Sequence, residues 1–142
     1  YRKPKQEDVD RAIELIKLSS KERNEINSRT SSVAQNTLRF SEPEMTKTED
    51  VIIQAIRIGD QAIVSMPFEV LVEIGIEIKE KSPFPHTLII ELANGGYGYL
   101  PPSHQHKLGG YETWLGTSRF VEDTSVVLTK NLFEMLAELE KL

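Results

Sequence analysis

The stretch Val51-Ile52-Ile53-Gln54-Ala55-Ile56-Arg57-Ile58-Gly59-Asp60-Gln61-Ala62-Ile63-Val64-Ser65-Met66 decides the fold. Its β-branched residues, partly alternating with Gln54, Arg57 and Gln61, favour extended backbone over helix. Gly59-Asp60 divides it in two, and two such runs across a Gly-containing pair predict a β-hairpin, residues 50–58 against 61–66. Downstream, Pro67 suits the first position of a helix, where its missing N–H costs nothing. Leu71, Ile74 and Ile78 supply that helix with a buried stripe, and Glu69, Glu73 and Glu77 with an acidic one at four-residue spacing. Ser82-Pro83-Phe84-Pro85 ends it. Residues 87–92 form a short, nearly continuous apolar run, the pattern of a strand covered on both faces. A C-terminal helix is marked by Leu128, Leu132, Met135, Leu136 and Leu139, with Asp123 or Thr124 to cap it.

Upstream of the hairpin, Val9, Ala12, Ile13 and Ile16 recur at helical spacing, predicting an amphipathic helix over 7–21 with Glu7, Asp8 and Asp10 in its acidic first turn. The Ser/Thr/Asn/Gln-rich stretch Asn27 to Thr37 reads as loop, within a polar connection over 22–47 that has scope for mobility. The order helix, hairpin, helix, strand, long loop, helix predicts the α/β class, a small mixed sheet with helices packed on it.

The chain's 142 residues are one domain's worth on the usual prior of roughly 100–200. A hydrophobic share of 39% and a charged share of 27% are those of an ordinary folded domain, which needs no disulfide at this size. The 17 basic and 22 acidic side chains leave a net charge of −5, which argues against a nucleic-acid binder. Residues 1–50 are neutral, with 10 of each sign, so the acidic excess lies in residues 51–142. No run approaches the roughly 18 consecutive apolar residues of a membrane-spanning helix. With no cysteine, thiol catalysis and Cys-type zinc sites are excluded, and any metal must be held by His, carboxylate or a less common donor.

The averages hide one concentrated segment. Between Asn94 and Gly116 lie six of the eight glycines, three of the four tyrosines, the only tryptophan and two of the three histidines. Asn94-Gly95-Gly96 precedes Tyr97-Gly98-Tyr99, where glycine lets the backbone aim the phenols. The plainer reading is an aromatic pair plugging the end of the sheet. Glu69, just beyond a strand end, points to where ligands bind in α/β proteins, against the commoner use of such a carboxylate at a helix N-terminus. His104-Gln105-His106 has the residue type of a zinc site but only two ligands, and a solvent-exposed loop is the favoured reading; His86 reads as structural. A phosphate-binding loop and a serine nucleophile elbow are both missing from the sequence.

Taken together, residues 51 to about 111 resemble the C-terminal part of the catalytic region of the neutral/alkaline non-lysosomal ceramidases and their bacterial relatives. The resemblance is carried by Ile58-Gly59-Asp60-Gln61-Ala62-Ile63-Val64, Pro67-Phe68-Glu69, Ala93-Asn94 with two tyrosines, and Gly110-Tyr111-Glu112. In that family a Glu after the strand and a Tyr about thirty residues on are zinc ligands, and a Tyr twelve further assists at the reacting carbonyl. Here the separations from Glu69 to Tyr99 and from Tyr99 to Tyr111 are thirty and twelve. The resemblance implies a zinc-dependent amidohydrolase cleaving an N-acyl amide such as a sphingolipid-like substrate, with Glu69 and Tyr99 as zinc ligands and Tyr111 catalytic. Tyr97 would pack or orient Tyr99, and Tyr97 and Trp114 are the weaker substrate-binding candidates. The family's two zinc histidines and serine nucleophile lie upstream of the matching region. The chain, beginning at Tyr1, is thus expected to be either a single α/β domain or the C-terminal segment of a larger zinc-hydrolase domain, inactive alone and partnered by the upstream polypeptide. Self-association through surface left uncovered is a further expectation, and export is favoured by the resemblance only. The alternative is a non-catalytic module that binds a small molecule or glycan through Tyr97, Tyr99, Tyr111 and Trp114.

Overall fold

The computed structural model describes residues 1–26, 29–46 and 48–142. The hairpin forms about the expected Gly59-Asp60 turn, its first strand starting at Gln54 rather than at residue 50. Strands β1 (Gln54–Ile58) and β2 (Gln61–Ser65) pair antiparallel, with Ile58 opposite Gln61. Gly59 turns the chain at φ 63°, a conformation that costs glycine nothing. On the other side of β2, β4 (His86–Ile90) pairs in parallel, giving the order β1-β2-β4. Parallel neighbours need a crossover, and α4 (Val72–Lys81) supplies it. A C-terminal helix, α6 (Thr124–Glu140), packs against β1 and α4. Its Leu128, Leu132 and Leu136 meet Val64, Met66, Phe68, Ile74 and Ile78 in one apolar core. The result is the expected small mixed sheet with helices packed on it. Among the described residues no helix is long and apolar enough to cross a membrane.

Three local expectations are corrected. First, β4 is covered on one face only, since Leu88 is 58% and Ile90 41% exposed. The β2–β4 register places Leu88 beside Ile63 and Ile90 beside Ser65, on the face away from α4 and α6. Short apolar runs look alike whether one or two layers cover them, and here the second layer is missing.

Second, Pro67 does not start the helix, and α4 begins five residues later at Val72. The backbone between is held extended from outside: the Met66 N–H donates to Ile90 O, and Phe68 O and Pro67 O accept from the Leu92 and Tyr97 N–H groups. The Glu69 and Leu71 N–H groups donate to Gly98 O and Leu100 O. These form the two-residue strand β3 (Glu69–Val70), parallel to β5 (Tyr99–Leu100). Glu69 therefore leaves the acidic helical stripe. Glu73 and Glu77 remain on α4, and Glu77 pairs with Lys81 at 2.6 Å.

Third, much of the polar connection is helical. Helix α1 (Gln6–Lys17) stops short of residue 21, because α2 (Ser20–Ile26) starts on a capping box. The Ser19 N–H donates to Glu22 Oε2 at 2.8 Å, and the Glu22 N–H donates to Ser19 Oγ at 3.3 Å. Arg23 folds back onto the carbonyls of Ile16 and Leu18, closing the C-terminus of α1. Helix α3 (Thr30–Ser41) then runs through the residues read as loop, with Asn27 and Ser28 outside the described residues. Burial of Thr30, Ala34, Thr37 and Phe40 outweighs the weak helix propensity of Ser, Thr and Asn. Helices α1 and α3 pack through small residues, Ala12 against the face bearing Ala34, while Ile13 and Ile16, read as part of the buried stripe, lie at the surface.

Candidate functional site

The site stands at the end of the sheet, where the β3–β5 pair meets the turn after α5 (Gln105–Leu108). Strand pairing sets Glu69 directly beside Tyr99, and in a parallel pair adjacent residues project to the same side. The Tyr99 phenol and the Glu69 carboxylate are close enough to interact. Interaction with the Glu69 side chain, first as hydrogen-bond acceptor and next through its negative charge, pushes the phenol pKa up. Glu112, on the 3-10 turn Tyr111–Thr113, adds a smaller push in the same direction.

Tyr111 completes the group. Its ring meets Tyr99 edge to face at a centroid distance of 5.7 Å and meets Trp114 in the same manner at 5.5 Å. The Arg29 guanidinium lies 4.4 Å from the Tyr111 ring centroid. Thr117 ties the strand to the turn. Its carbonyl accepts the Tyr99 N–H at 2.8 Å, and its hydroxyl lies 2.5 Å from Tyr111 O and 2.8 Å from Trp114 O. Gly98 makes this approach possible. It sits at φ 88°, and a Cβ there would be 2.2 Å from Thr117 O.

The structure thus brings together Glu69, Tyr99 and Tyr111, with Trp114 behind Tyr111. Tyr97 stands apart from them, its ring packed on Phe68 at 5.7 Å and on Phe120 at 5.9 Å in an aromatic cluster. His104 is exposed, and His86 is the exposed first residue of β4. His106 takes part in a different contact, its Nδ1 2.9 Å from the Arg2 guanidinium, which also donates to Thr113 O at 2.6 Å. Burial, and next the Arg2 charge, push the His106 pKa down. Arg29 and Thr117 were not legible as site residues. Arg29 is 82 residues from Tyr111 in a polar stretch, and Thr117 is an ordinary loop threonine by type; only Glu112, adjacent to Tyr111, carried a sequence signal.

As a donor set, a carboxylate and a phenol side by side offer two oxygen ligands of the kind a divalent metal accepts, and by themselves they do not select zinc. Among the described residues no group of three or more His, Asp or Glu side chains is gathered closely enough to hold a metal. Comparison with protein-family models, with curated proteins and with solved structures finds no match for the chain.

Proposed function

We propose that this chain is the C-terminal segment of a ceramidase-like zinc-dependent amidohydrolase acting on an N-acyl amide, with the remaining ligands and the nucleophile supplied by the upstream polypeptide. The observation that carries the reading is the convergence of Glu69, Tyr99 and Tyr111, thirty and twelve residues apart, into one contact group. Chance spacing does not require such residues to meet.

In this reading Glu69 and Tyr99 hold the metal, which when bound supplies Lewis-acid polarisation of the amide carbonyl and of water. Strand pairing fixes both donors on adjacent backbone, so little side-chain freedom is lost when they act together. Tyr99 would hold the metal as a phenolate, having given up its proton, with Glu69 beside it as a carboxylate. Tyr111 retains its own proton and donates it in a hydrogen bond to the oxyanion that forms at the reacting carbon. Arg29 over one face of Tyr111 and Trp114 at its edge orient the phenol. Trp114 is placed to contact substrate next to it.

The test uses the complete polypeptide that this reading requires. Glu69→Gln is expected to lower zinc content at least about tenfold and amidase activity with it, at unchanged melting temperature. Tyr111→Phe should keep its zinc and lose about 10²- to 10³-fold in kcat. Unchanged zinc and unchanged activity in Glu69→Gln would sink the assignment.

A further inference from the structure

A concavity lined in part by Trp114 lies between α1, α3 and the segments around Leu115 and Val121. Its volume is about 670 Å³, inside the range of roughly 300–1,000 Å³ typical of small-molecule sites. The cavity follows from the way α1 and α3 pack. Ala12 and Ala34 are 2% and 1% exposed, and with side chains this small at the contact nothing large fills the space beside it. Leu15, Val33, Trp114 and Leu115 with the two alanines make its interior mainly apolar, Thr30 and Thr37 on α3 being the polar residues among them.

Charge at the rim is one-sided. Arg2, Lys3, Lys5, Arg11 and Arg29 line the cavity against only Asp8 and Glu122. Five cations facing two carboxylates are the reverse of a chain whose net charge is −5. Some of these cations have work of their own: Arg2 on Thr113 O and His106, Lys3 on Glu42 O, and Lys5 paired with Glu7 at 3.7 Å. Arg11 is exposed and lines the cavity from the same helix that supplies Ala12 and Leu15.

We infer that this cavity binds an amphiphilic organic anion, a carboxylate carrying a medium-length alkyl chain, with the tail on the Ala12–Leu15–Val33–Trp114 floor and the head among the rim cations. An apolar tail alone would leave the rim unused, and a small anion alone would leave the floor wet; the lining fits a ligand that has both parts. The site needs neither zinc nor catalysis, so it stands or falls separately from the amidohydrolase reading. Trp114 and Arg29 belong to both places, and a ligand held here therefore borders the Tyr111 stack.

Trp114 is the only tryptophan and reports on occupancy directly. Decanoate titrated into the chain should change its emission saturably with one site per chain. Decanol, the tail without the charge, should bind at least about tenfold more weakly, as loss of a charge-assisted contact predicts. Acetate, the charge without the tail, should leave emission unchanged. Arg11→Glu reverses a surface charge without touching the core and should weaken decanoate at least about fivefold. Val33→Phe narrows the cavity from α3 and should weaken decanoate and decanol alike, while Lys130→Glu on α6 should change neither. Equal affinity for decanoate and decanol, full affinity in Arg11→Glu, or no saturable response would each overturn the inference.

Discussion

The half of the molecule built on the hairpin and the half built on the N-terminal helices bury different kinds of side chain. Around the sheet the core is large and fully enclosed, with Val64, Met66, Phe68, Ile78, Leu132 and Leu136 all essentially inaccessible. Between α1 and α3 the buried residues are Ala12, Thr30, Ala34, Thr37 and Phe40, most of them small or polar. The first half converts apolar area into rigidity, and its ends hold the Glu69–Tyr99 pair in register. The second gains less per residue and leaves room, which is where the cavity lies. On the readings proposed above, the pair of oxygen donors and the ligand cavity thus draw on opposite kinds of packing.

The contrast can be broken by mutation, and the largest effect is expected in the sheet core. Phe68 is fully buried and its ring contacts Tyr97 and Phe120, so Phe68→Ala should cost about 3–5 kcal/mol in denaturant unfolding. Next comes Gly98→Ala, where a left-handed backbone and the clash with Thr117 O should cost about 1–3 kcal/mol and detach Tyr99 from the Tyr111 turn. Loss of the Tyr99–Tyr111 contact by NMR would accompany it, whereas an unperturbed spectrum would contradict the tight approach. In the helical half Ala34→Gly should cost only about 1 kcal/mol, chiefly the helix penalty of glycine. If it proved as damaging as Phe68→Ala, the two halves would not differ in the way described.

The smallest effect concerns the contact joining the N-terminus to the long loop. The His106 pKa is held below its ordinary value, so the folded state prefers the neutral ring. The stability this contributes is present above the unfolded value of about 6.5 and is lost as pH falls through the folded value. Melting temperature should therefore drop between pH 7.5 and 5.5 by more in the wild type than in His106→Gln. Identical pH profiles would show that the Arg2–His106 contact carries no linkage.

Much of the fold was legible because it follows from short-range pattern. Gly59 between two β-branched runs specifies a turn, and Ile74, Ile78, Leu128, Leu132 and Leu136 specify helical faces. The helix at residues 30–41 was hidden, since Ser, Thr, Asn and Gln describe a loop until Ala34 and Phe40 find α1 and the aromatic cluster around Tyr1. The start of α2 was written in Ser19-Ser20-Lys21-Glu22 all the same, a capping box readable from residue types alone. Glu69, Tyr99 and Tyr111 could be singled out as a set only through the family resemblance, whose spacing they match. Their contact could not be derived that way, because it depends on which backbone partners Met66 to Leu71 find.

By itself, then, the sequence determined the hairpin, the apolar faces of α4 and α6 and the residue types available to a site, all set by interactions within a few residues along the chain. Only the tertiary structure decided that Glu69 sits on a strand rather than a helix, that one face of β4 stays uncovered, and that Arg29 reaches Tyr111. The physical reason is the same in each case. A backbone N–H or an apolar face takes its partner from whatever segment the fold brings near, and residues 66–71 are extended because Ile90, Gly98 and Leu100 offer them carbonyls.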